Sequence, residues 1–362
     1  MENEKTKISL RQAMLLFIVS FLAPAIRYIP IFTTQEAKQA AWLSPFITII
    51  FEVFYMYIFI KFFKKYKKES FIDILNDVFG KVIGFILCIL YFLWLTLMIA
   101  YNLRIFAERI LGTVNPNLSI ILVISILLFL VLYVVKNGIV TLARMNELFI
   151  IAIVFVFTLV SILMIPNMDI KNMFPITYKD IYPIFKANFG ILAIWSYSIA
   201  IFMFADKIKE KTDFKKVSFK LILYITIISI VVIIAPLAIF GHSLVITMPV
   251  PFFSSVMQIS IFETIERIES MVVIFWIITD FILISVLTYT SVHIIAKMFK
   301  LQNPNPFIKI YIFGILFFAL CIANSTFELS TISVYILTPL NILMGYCIPV
   351  LTFVIAKIRG KV

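Results

Sequence analysis

Stretches of about 20 apolar residues follow one another along almost the whole chain, separated by short charged segments. At a rise of about 1.5 Å per residue, a helix of about 20 residues crosses a hydrocarbon core of roughly 30 Å. Because the backbone inside a bilayer must satisfy its own hydrogen bonds, such runs predict transmembrane helices. Transmembrane β-strands would instead alternate in hydrophobicity over about ten residues. The composition agrees, since 63% of the residues are hydrophobic and 14% are charged.

We predict an all-α integral membrane protein with about ten transmembrane helices, in which residues 1–362 form a single transmembrane domain. Helix 1 is too long for a signal-peptide core and lacks a small-residue cleavage site, so we expect it to be retained. The predicted helices 1 to 10 span residues 10–32, 42–63, 82–110, 118–135, 139–165, 189–204, 219–240, 271–298, 307–323 and 333–358.

The basic residues are distributed unevenly between the two sides of this layout. If the N-terminus is inside, 23 of the 31 basic residues lie in inside segments and 7 lie in outside segments. This asymmetry follows the positive-inside rule and predicts cytoplasmic N- and C-termini. The net charge of +12 is then explained by topology and anionic lipid headgroups, and we expect no nucleic-acid partner.

Residues of the kinds used in catalysis and metal binding are few and scattered. Cys88, Cys321 and Cys347 all lie inside predicted helices, which is not the pattern of a disulfide framework or a metal site. His242 and His293 are far apart and show no metal-ligand spacing. We see neither a glycine-rich phosphate loop nor a Ser-His-Asp arrangement. We therefore predict no enzyme activity, no catalytic residues, no metal and no cofactor.

The ten helices divide into two sets of five at the long outside loop 166–188. Because five is odd, the second set starts from the opposite side of the membrane, and equivalent halves at about 8–165 and 184–358 form an inverted repeat. Each half has an amphipathic segment after its second helix, at 70–79 and 252–266. Such repeats make transporter folds with a binding site near the bilayer midplane.

In this arrangement helices 1 and 6 should be broken near their middles. Helix 1 contains Pro24, which removes a backbone donor, although a simple kink is the alternative. Helix 6 contains Gly190 followed by a polar run. The N-terminus of a half-helix favours a carboxylate. The residues predicted to contact a ligand at the two breaks are Ala23, Pro24, Ala25, Arg27, Trp195, Ser196 and Ser198.

Charged residues inside membrane helices cost a few kcal/mol each, so each needs an explanation. Arg27 could bind a ligand carboxylate, or it could pair permanently with Glu52, Glu147 or Asp280. Asp280 and Glu52 are the candidates for ion or proton coupling, and a hydrogen bond to a neighbouring helix is the alternative for Asp280. Arg104, Glu108 and Arg109 lie at the end of helix 3, and their spacing predicts that their charges pair with one another.

Helix 3 has an aromatic face formed by Tyr91, Trp94, Met98 and Tyr101, whose 3,4,3 spacing places them together. This face could line a ligand pocket. Ordinary helix packing is the alternative, as it is for the Ser196 and Ser198 hydroxyls, which could bond their own helix backbone.

One segment, 260–270, followed by Trp276 and Ile277, resembles the signature of the spore germination permease family. Residues 8–12 resemble its N-terminal Ile-Ser-x-x-Gln, residues 40–44 the start of its second helix, and residues 355–361 its C-terminal end. This family supplies the B subunit of nutrient germinant receptors and belongs to the amino acid–polyamine–organocation transporter superfamily. The similarity covers essentially the whole chain.

The resemblance implies a LeuT-like fold and the sensing of a small nutrient, typically an amino acid. It also implies a location in the bacterial cell membrane or the inner membrane of a bacterial endospore. The implied partners are a larger A subunit and a lipoprotein C subunit. Glu266, Arg267 and Glu269 are candidates for docking a partner, although acidic residues in a first helical turn are also stabilised by the helix dipole. An ion- or proton-coupled amino acid transporter is the alternative function, and a structural membrane subunit is a third.

Overall fold

The computed structural model describes residues 6–209, 211, 213–259 and 268–362, and it describes 268–270 through their backbone only. Within these ranges the chain is helical, apart from turns and an isolated parallel β-bridge between Ile8 and Ile208. Glu266 and Arg267 lie outside the described residues, as does the side chain of Glu269, so the predicted docking residues remain a prediction.

The α-helices are numbered here in chain order. They are α1 (Leu10–Ala37), α2 (Ser44–Lys65), α3 (Phe71–Phe79), α4 (Lys81–Thr113), α5 (Ile120–Lys136), α6 (Ile139–Leu163), α7 (Ile181–Trp195), α8 (Ser198–Met203), α9 (Phe214–Phe240), α10 (His242–Val245), α11 (Pro251–Val256), α12 (Ile268–Met298), α13 (Asn305–Cys321), α14 (Thr326–Ile332), α15 (Thr338–Ile342) and α16 (Ile348–Ile358).

Seven helical segments of the described chain are long and apolar enough to cross a membrane. The first of them, Leu10–Lys65, contains both α1 and α2. Two shorter apolar helices, α5 and α13, have 17 residues each. Counting α1 and α2 separately and including the shorter pair gives ten passes, as the sequence predicts. The largest boundary difference is at predicted helix 6, which starts at Ile181 rather than at 189.

The outer surface of the bundle is apolar, which is the reverse of a soluble protein. Phe129, Ile151, Phe313 and Phe317 are each about 70% exposed, and they lie on helices at the periphery. The polar and charged residues described below are buried between helices instead. This distribution fits a multi-pass protein whose solvent at mid-height is lipid rather than water.

Helix α1 lies at the centre of the bundle, where it packs against α6, α7, α9 and α12. A capping box starts it: the Gln12 amide donates to Ser9 Oγ at 3.1 Å, and the Ser9 amide donates to Gln12 Oε1 at 2.8 Å. The helix continues without interruption through Pro24 and Pro30. The predicted break in helix 1 is therefore wrong for this structure. Each proline removes only one donor, and the surrounding helices hold the rest of α1 in place.

Predicted helix 6 is interrupted where expected. Helix α7 ends at Trp195, Ser196 and Tyr197 form a turn, and α8 resumes at Ser198.

Predicted helix 10 is irregular in a way that the sequence did not indicate. Two π-helical segments, Ser333–Leu337 and Leu343–Cys347, lie between α14, α15 and α16. Such segments occur frequently at functional sites.

The first amphipathic segment forms a short helix, α3, and a capping bond from the Ser70 amide to Asp73 Oδ2 at 2.8 Å starts it. Gly80, at a φ of 84°, then turns the chain into α4, a conformation that glycine adopts without strain. Of the second amphipathic segment, the structure describes α11 and the residues up to 259, and the remainder lies outside the described residues.

Candidate functional site

Four polar side chains from three helices meet inside the bundle, and we call them the buried arginine cluster. Arg27 comes from α1, Asn102 and Arg109 from α4, and Asp280 from α12. Asn102 and Asp280 are fully buried, and the two arginines are at most 9% exposed. Burying a charge at such a position costs free energy. The ion pairs within the cluster, and any charge that stays unpaired, therefore indicate what the cluster can bind.

Of the three guanidinium nitrogens of Arg27, only Nη2 has polar partners among the described residues. Its Nη2 donates to Asn102 Oδ1 at 2.8 Å and lies 3.7 Å from Asp280 Oδ1. Asn102 is oriented by its own hydrogen bond to the Met98 carbonyl, at 2.8 Å. The Nε and Nη1 atoms of Arg27 are buried and have no hydrogen-bond partner among the described residues. Of the three partners considered for Arg27 in the sequence, the structure brings it close to Asp280.

Arg109 points into the bundle, where its Nη2 donates to Asp280 Oδ2. Its guanidinium also lies over the Trp276 ring, 4.8 Å from the ring centroid. Arg104 and Glu108 pair with each other at 2.9 Å, as their spacing indicated. The expectation that Arg109 joins them is wrong, because the Asp280 carboxylate on the facing helix is available to it.

The buried arginine cluster therefore carries two guanidinium groups and one carboxylate. Glu147 is engaged elsewhere, accepting from Gln12 Nε2 at 2.9 Å, and Glu52 lies next to Tyr346. One positive charge in the cluster is thus not balanced by a described carboxylate. Arg27 Nε and Nη1 and Arg109 Nη1 are buried donors without a partner in the described part of the chain. This combination attracts an anion.

The aromatic face of α4 binds predicted helix 10 instead of lining open space. The Tyr91 hydroxyl donates to the Met344 carbonyl at 2.6 Å, within the second π-helical segment. Trp94 Nε1 donates to Asn341 Oδ1 at 2.9 Å, and Asn341 Nδ2 donates to the Ala193 carbonyl at 3.1 Å. Through Asn341, the irregular helix 10 is tied to the end of α7.

The interruption of helix 6 packs tightly on its surroundings. The Trp195 ring packs against both Phe17 and Phe21, with ring centroids 5.8 Å apart in each pair. Ser196 Oγ donates to the Ala193 carbonyl at 2.7 Å, which is the local backbone bond considered as its alternative role. Ser198 is buried beside it in α8.

Tyr197 was not predicted, although it occupies the turn between α7 and α8. Its side chain is buried and interacts with Asn102, Asn341 and Arg27. Tyr197 therefore connects the interruption of helix 6 to the buried arginine cluster. Its position inside the polar run at 195–198 was the available signal.

The other predicted contact residues lie close by. Ala23, Pro24 and Ala25 are buried in α1, in the four residues that precede Arg27. The Tyr101 hydroxyl is 2.6 Å from that of Tyr28, the neighbour of Arg27. The predicted residues of α1, α4 and the helix 6 interruption are thus gathered in one region of the bundle.

A narrow apolar cavity lies between α1, α6 and α12, and Ile26, Trp276 and Thr279 are among its lining residues. Its volume is about 30 Å³, which is roughly the volume of one water molecule. None of the four residues of the buried arginine cluster lines this cavity.

Glu52 forms a separate polar centre on α2. Its Oε1 accepts from the Tyr346 hydroxyl in the second π-helical segment, and its Oε2 is buried with no partner among the described residues. The Tyr346 ring packs on Tyr55 at a centroid distance of 4.7 Å. This carboxyl group is fully buried and is not part of the arginine cluster.

Comparison with known proteins identifies the family. A family profile described as spore germination protein, the spore permease family, matches residues 7–328. The chain belongs to the spore germination permease family. Spore germination protein KB of Bacillus subtilis (strain 168) is 24% identical over 367 residues, covering 99% of this chain and 96% of that protein. Spore germination protein YndE of the same organism is 22% identical, covering 83% of each chain.

A solved structure described as the substrate-bound outward-open state of a Na⁺-coupled sialic acid symporter shares the fold of this spore germination permease. The similarity covers 92% of this chain and 79% of that chain, with a TM-score of 0.56 and 13% sequence identity. The fold is therefore LeuT-like, as the sequence predicted. The bounds of the two repeat halves, 8–165 and 184–358, stay a prediction.

A polar network connects α3, the last turns of α12 and the segment that follows α8 in this spore germination permease. Lys297 of α12 pairs with Asp73 of α3 and lies 3.8 Å from Asp206, and His293 is 2.9 Å from Asp206. Burial raises the pKa of the Asp206 carboxyl, but His293 and the nearby lysines outweigh it and hold that pKa below its usual value. Next to this network, the Ile8 amide donates a hydrogen bond to the Lys207 carbonyl at 2.9 Å.

Proposed function

We propose that this spore germination permease is the membrane subunit of a nutrient germinant receptor and binds a small nutrient with a carboxylate, an amino acid first among them. The observation that carries the proposal is the unbalanced positive charge of the buried arginine cluster. A nutrient carboxylate next to Arg27 and Arg109 would neutralise that charge and accept from the donors that lack partners.

The position of the buried arginine cluster also supports receptor function. A bound nutrient would touch α1, α4 and α12 together and would contact Tyr197 at the interruption of helix 6. We propose that binding favours a second arrangement of these helices. A ligand that binds the two arrangements with different affinities shifts the population between them, which is the requirement for a signal. We propose that A-type and lipoprotein C-type subunits receive the signal, with Glu266, Arg267 and Glu269 as docking residues.

The test is thermal unfolding of the purified protein with each common L-amino acid. For every amino acid that raises the melting temperature, the amide and the decarboxylated amine of the same side chain are measured next. We expect stabilisation only when the carboxylate is present. If amide and amine stabilise as well as the acid, or if no amino acid stabilises the protein, the proposal is wrong.

An ion- or proton-coupled amino acid transporter is the second candidate, and Glu52 favours it. This buried carboxyl has one oxygen without a described partner, and the related fold in the solved structure is that of a Na⁺-coupled symporter. Asp280, the other predicted coupling residue, is less suited because Arg27 and Arg109 neutralise it. Amino-acid counterflow in proteoliposomes detects transport directly.

Replacing Glu52 by Gln separates the two candidates. Glutamine keeps an oxygen that can accept from Tyr346, so the fold and the binding of a nutrient should be unchanged. For a binding-only receptor subunit, we expect the same thermal stabilisation by the nutrient and no counterflow in either protein. For a coupled transporter, we expect counterflow by the wild type and loss of uptake driven by an ion or pH gradient in the Glu52→Gln protein.

A further inference from the structure

A groove of about 600 Å³ opens on the outside of the bundle, between the last turns of α2 and the first turns of α9. We call it the basic groove. Its apolar wall includes Val53, Tyr57 and Phe219, which are 48%, 45% and 67% exposed. These side chains continue the lipid-facing surface of the bundle, so the groove is reached from the membrane rather than from the ligand region.

Three lysines form the other wall of the basic groove: Lys215, Lys216 and Lys220. All three are exposed, and no described carboxylate lies within 4.0 Å of any of them. Lys216 and Lys220 are four residues apart on α9, so they share one face of the helix. Asp213 is the one acidic residue among those that line the groove. The basic groove therefore combines an apolar wall with a wall that carries a marked excess of positive charge.

Ser218 gives a second, independent indication of a ligand. It lines the basic groove and is 2% exposed, yet its Oγ has no hydrogen-bond partner among the described residues. A serine inside a helix ordinarily bonds the carbonyl four residues earlier. A buried hydroxyl without a partner is unfavourable unless a bound group accepts from it.

We propose that the basic groove is a binding site for an anionic phospholipid. The phosphate group lies between Lys216 and Lys220, with Lys215 adding charge, and the Ser218 hydroxyl donates toward the headgroup. The acyl chains lie along Tyr57 and Phe219. Basic pockets between transmembrane helices bind anionic headgroups in this way.

The combination of lysines and apolar side chains in the basic groove favours a phospholipid over other occupants. A free phosphate would leave the apolar wall without a partner, and a zwitterionic lipid would leave the lysine charges unbalanced. An acidic segment of a protein partner could match the lysines, but it would have to place its backbone against Tyr57 and Phe219 at membrane depth, where backbone polar groups are costly. A phospholipid satisfies both walls.

The test is native mass spectrometry of the full-length protein in detergent, titrated with phosphatidylglycerol and separately with phosphatidylcholine. We expect preferential retention of phosphatidylglycerol. In a Lys216→Gln/Lys220→Gln variant its affinity should fall roughly 30-fold, because two lysines contribute about 1 kcal/mol each and about 1.4 kcal/mol corresponds to tenfold. The matched control is Lys300→Gln/Lys309→Gln, which removes two lysines from the same predicted side of the membrane, outside the groove.

Thermal unfolding of each variant without added lipid shows whether it is folded, so a loss of binding is not mistaken for a loss of structure. An equal loss in the control variant would mean diffuse attraction between lipid and lysines, and it would overturn the proposal. So would equal retention of the two lipids by the wild type, or unchanged phosphatidylglycerol binding in the groove variant.

Discussion

A protein with Arg27 replaced by Met is expected to fold normally and to bind its nutrient about 10- to 150-fold more weakly. The loss corresponds to one charge-assisted hydrogen bond to the carboxylate, worth about 1.5–3 kcal/mol. Folding is preserved because Asp280 keeps its pairing with Arg109, so the substitution removes the unbalanced charge without exposing a new one. Thermal shift and a binding isotherm with the stabilising amino acid measure the effect.

Two other variants sharpen this result. Arg144→Met removes an exposed arginine of α6 and should leave nutrient affinity unchanged. Asp280→Asn should be far more harmful than Arg27→Met, since it leaves two buried arginines without a carboxylate. Removing one partner of a buried pair costs about 3–5 kcal/mol. Wild-type affinity in a folded Arg27→Met protein would contradict the assignment of the carboxylate to this cluster.

A methyl group added at Gly345 is expected to cause a large loss of stability. Gly345 lies in the second π-helical segment, directly against the interruption of helix 6. An added Cβ would stand 2.3 Å from Ser196 Cβ and 2.8 Å from Ser196 Cα, distances that real contacts do not reach. Because backbone must move, we expect Gly345→Ala to cost about 3 kcal/mol and to lower the melting temperature by roughly 5 °C.

Gly314→Ala is the matched control, because it lies inside α13 with nothing within 4 Å of the added Cβ. Its melting temperature should be unchanged or slightly higher, as alanine favours helix more than glycine does. Adding Ser196→Gly to Gly345→Ala removes the closer clash and should recover part of the loss. Equal melting temperatures for Gly345→Ala and Gly314→Ala would show that helix 10 and the helix 6 interruption are not in close contact.

The number and order of the helices were predictable because the length of an apolar run must match the thickness of the bilayer. The interruption of helix 6 was also predictable, since a polar run at 195–198 inside an apolar helix favours local backbone bonds. Family resemblance over the whole chain then indicated the LeuT-like arrangement, and the family profile and the structural comparison confirm it.

The partners of the buried charges were not predictable. Arg109 directly follows Glu108 in the sequence, but its actual partner, Asp280, is 171 residues away on a facing helix. Asn341 and Tyr197 connect three helices. The polar run at 195–198 marks Tyr197 as a candidate, but nothing local in the sequence shows which residues on other helices it meets. Pro24 led to the wrong prediction of a break in helix 1. A proline specifies only one missing hydrogen bond, and the packing of the surrounding helices decides whether the helix breaks.

The most direct measurement is an electron cryomicroscopy structure of the protein held by an antibody fragment, with the amino acid that gives the largest thermal stabilisation bound. The account predicts density for the nutrient beside α1, α4 and α12, with its carboxylate about 3 Å from the guanidinium nitrogens of Arg27 or Arg109. Nutrient density away from both arginines, with Arg27 still bound to Asn102 and Asp280, would contradict it.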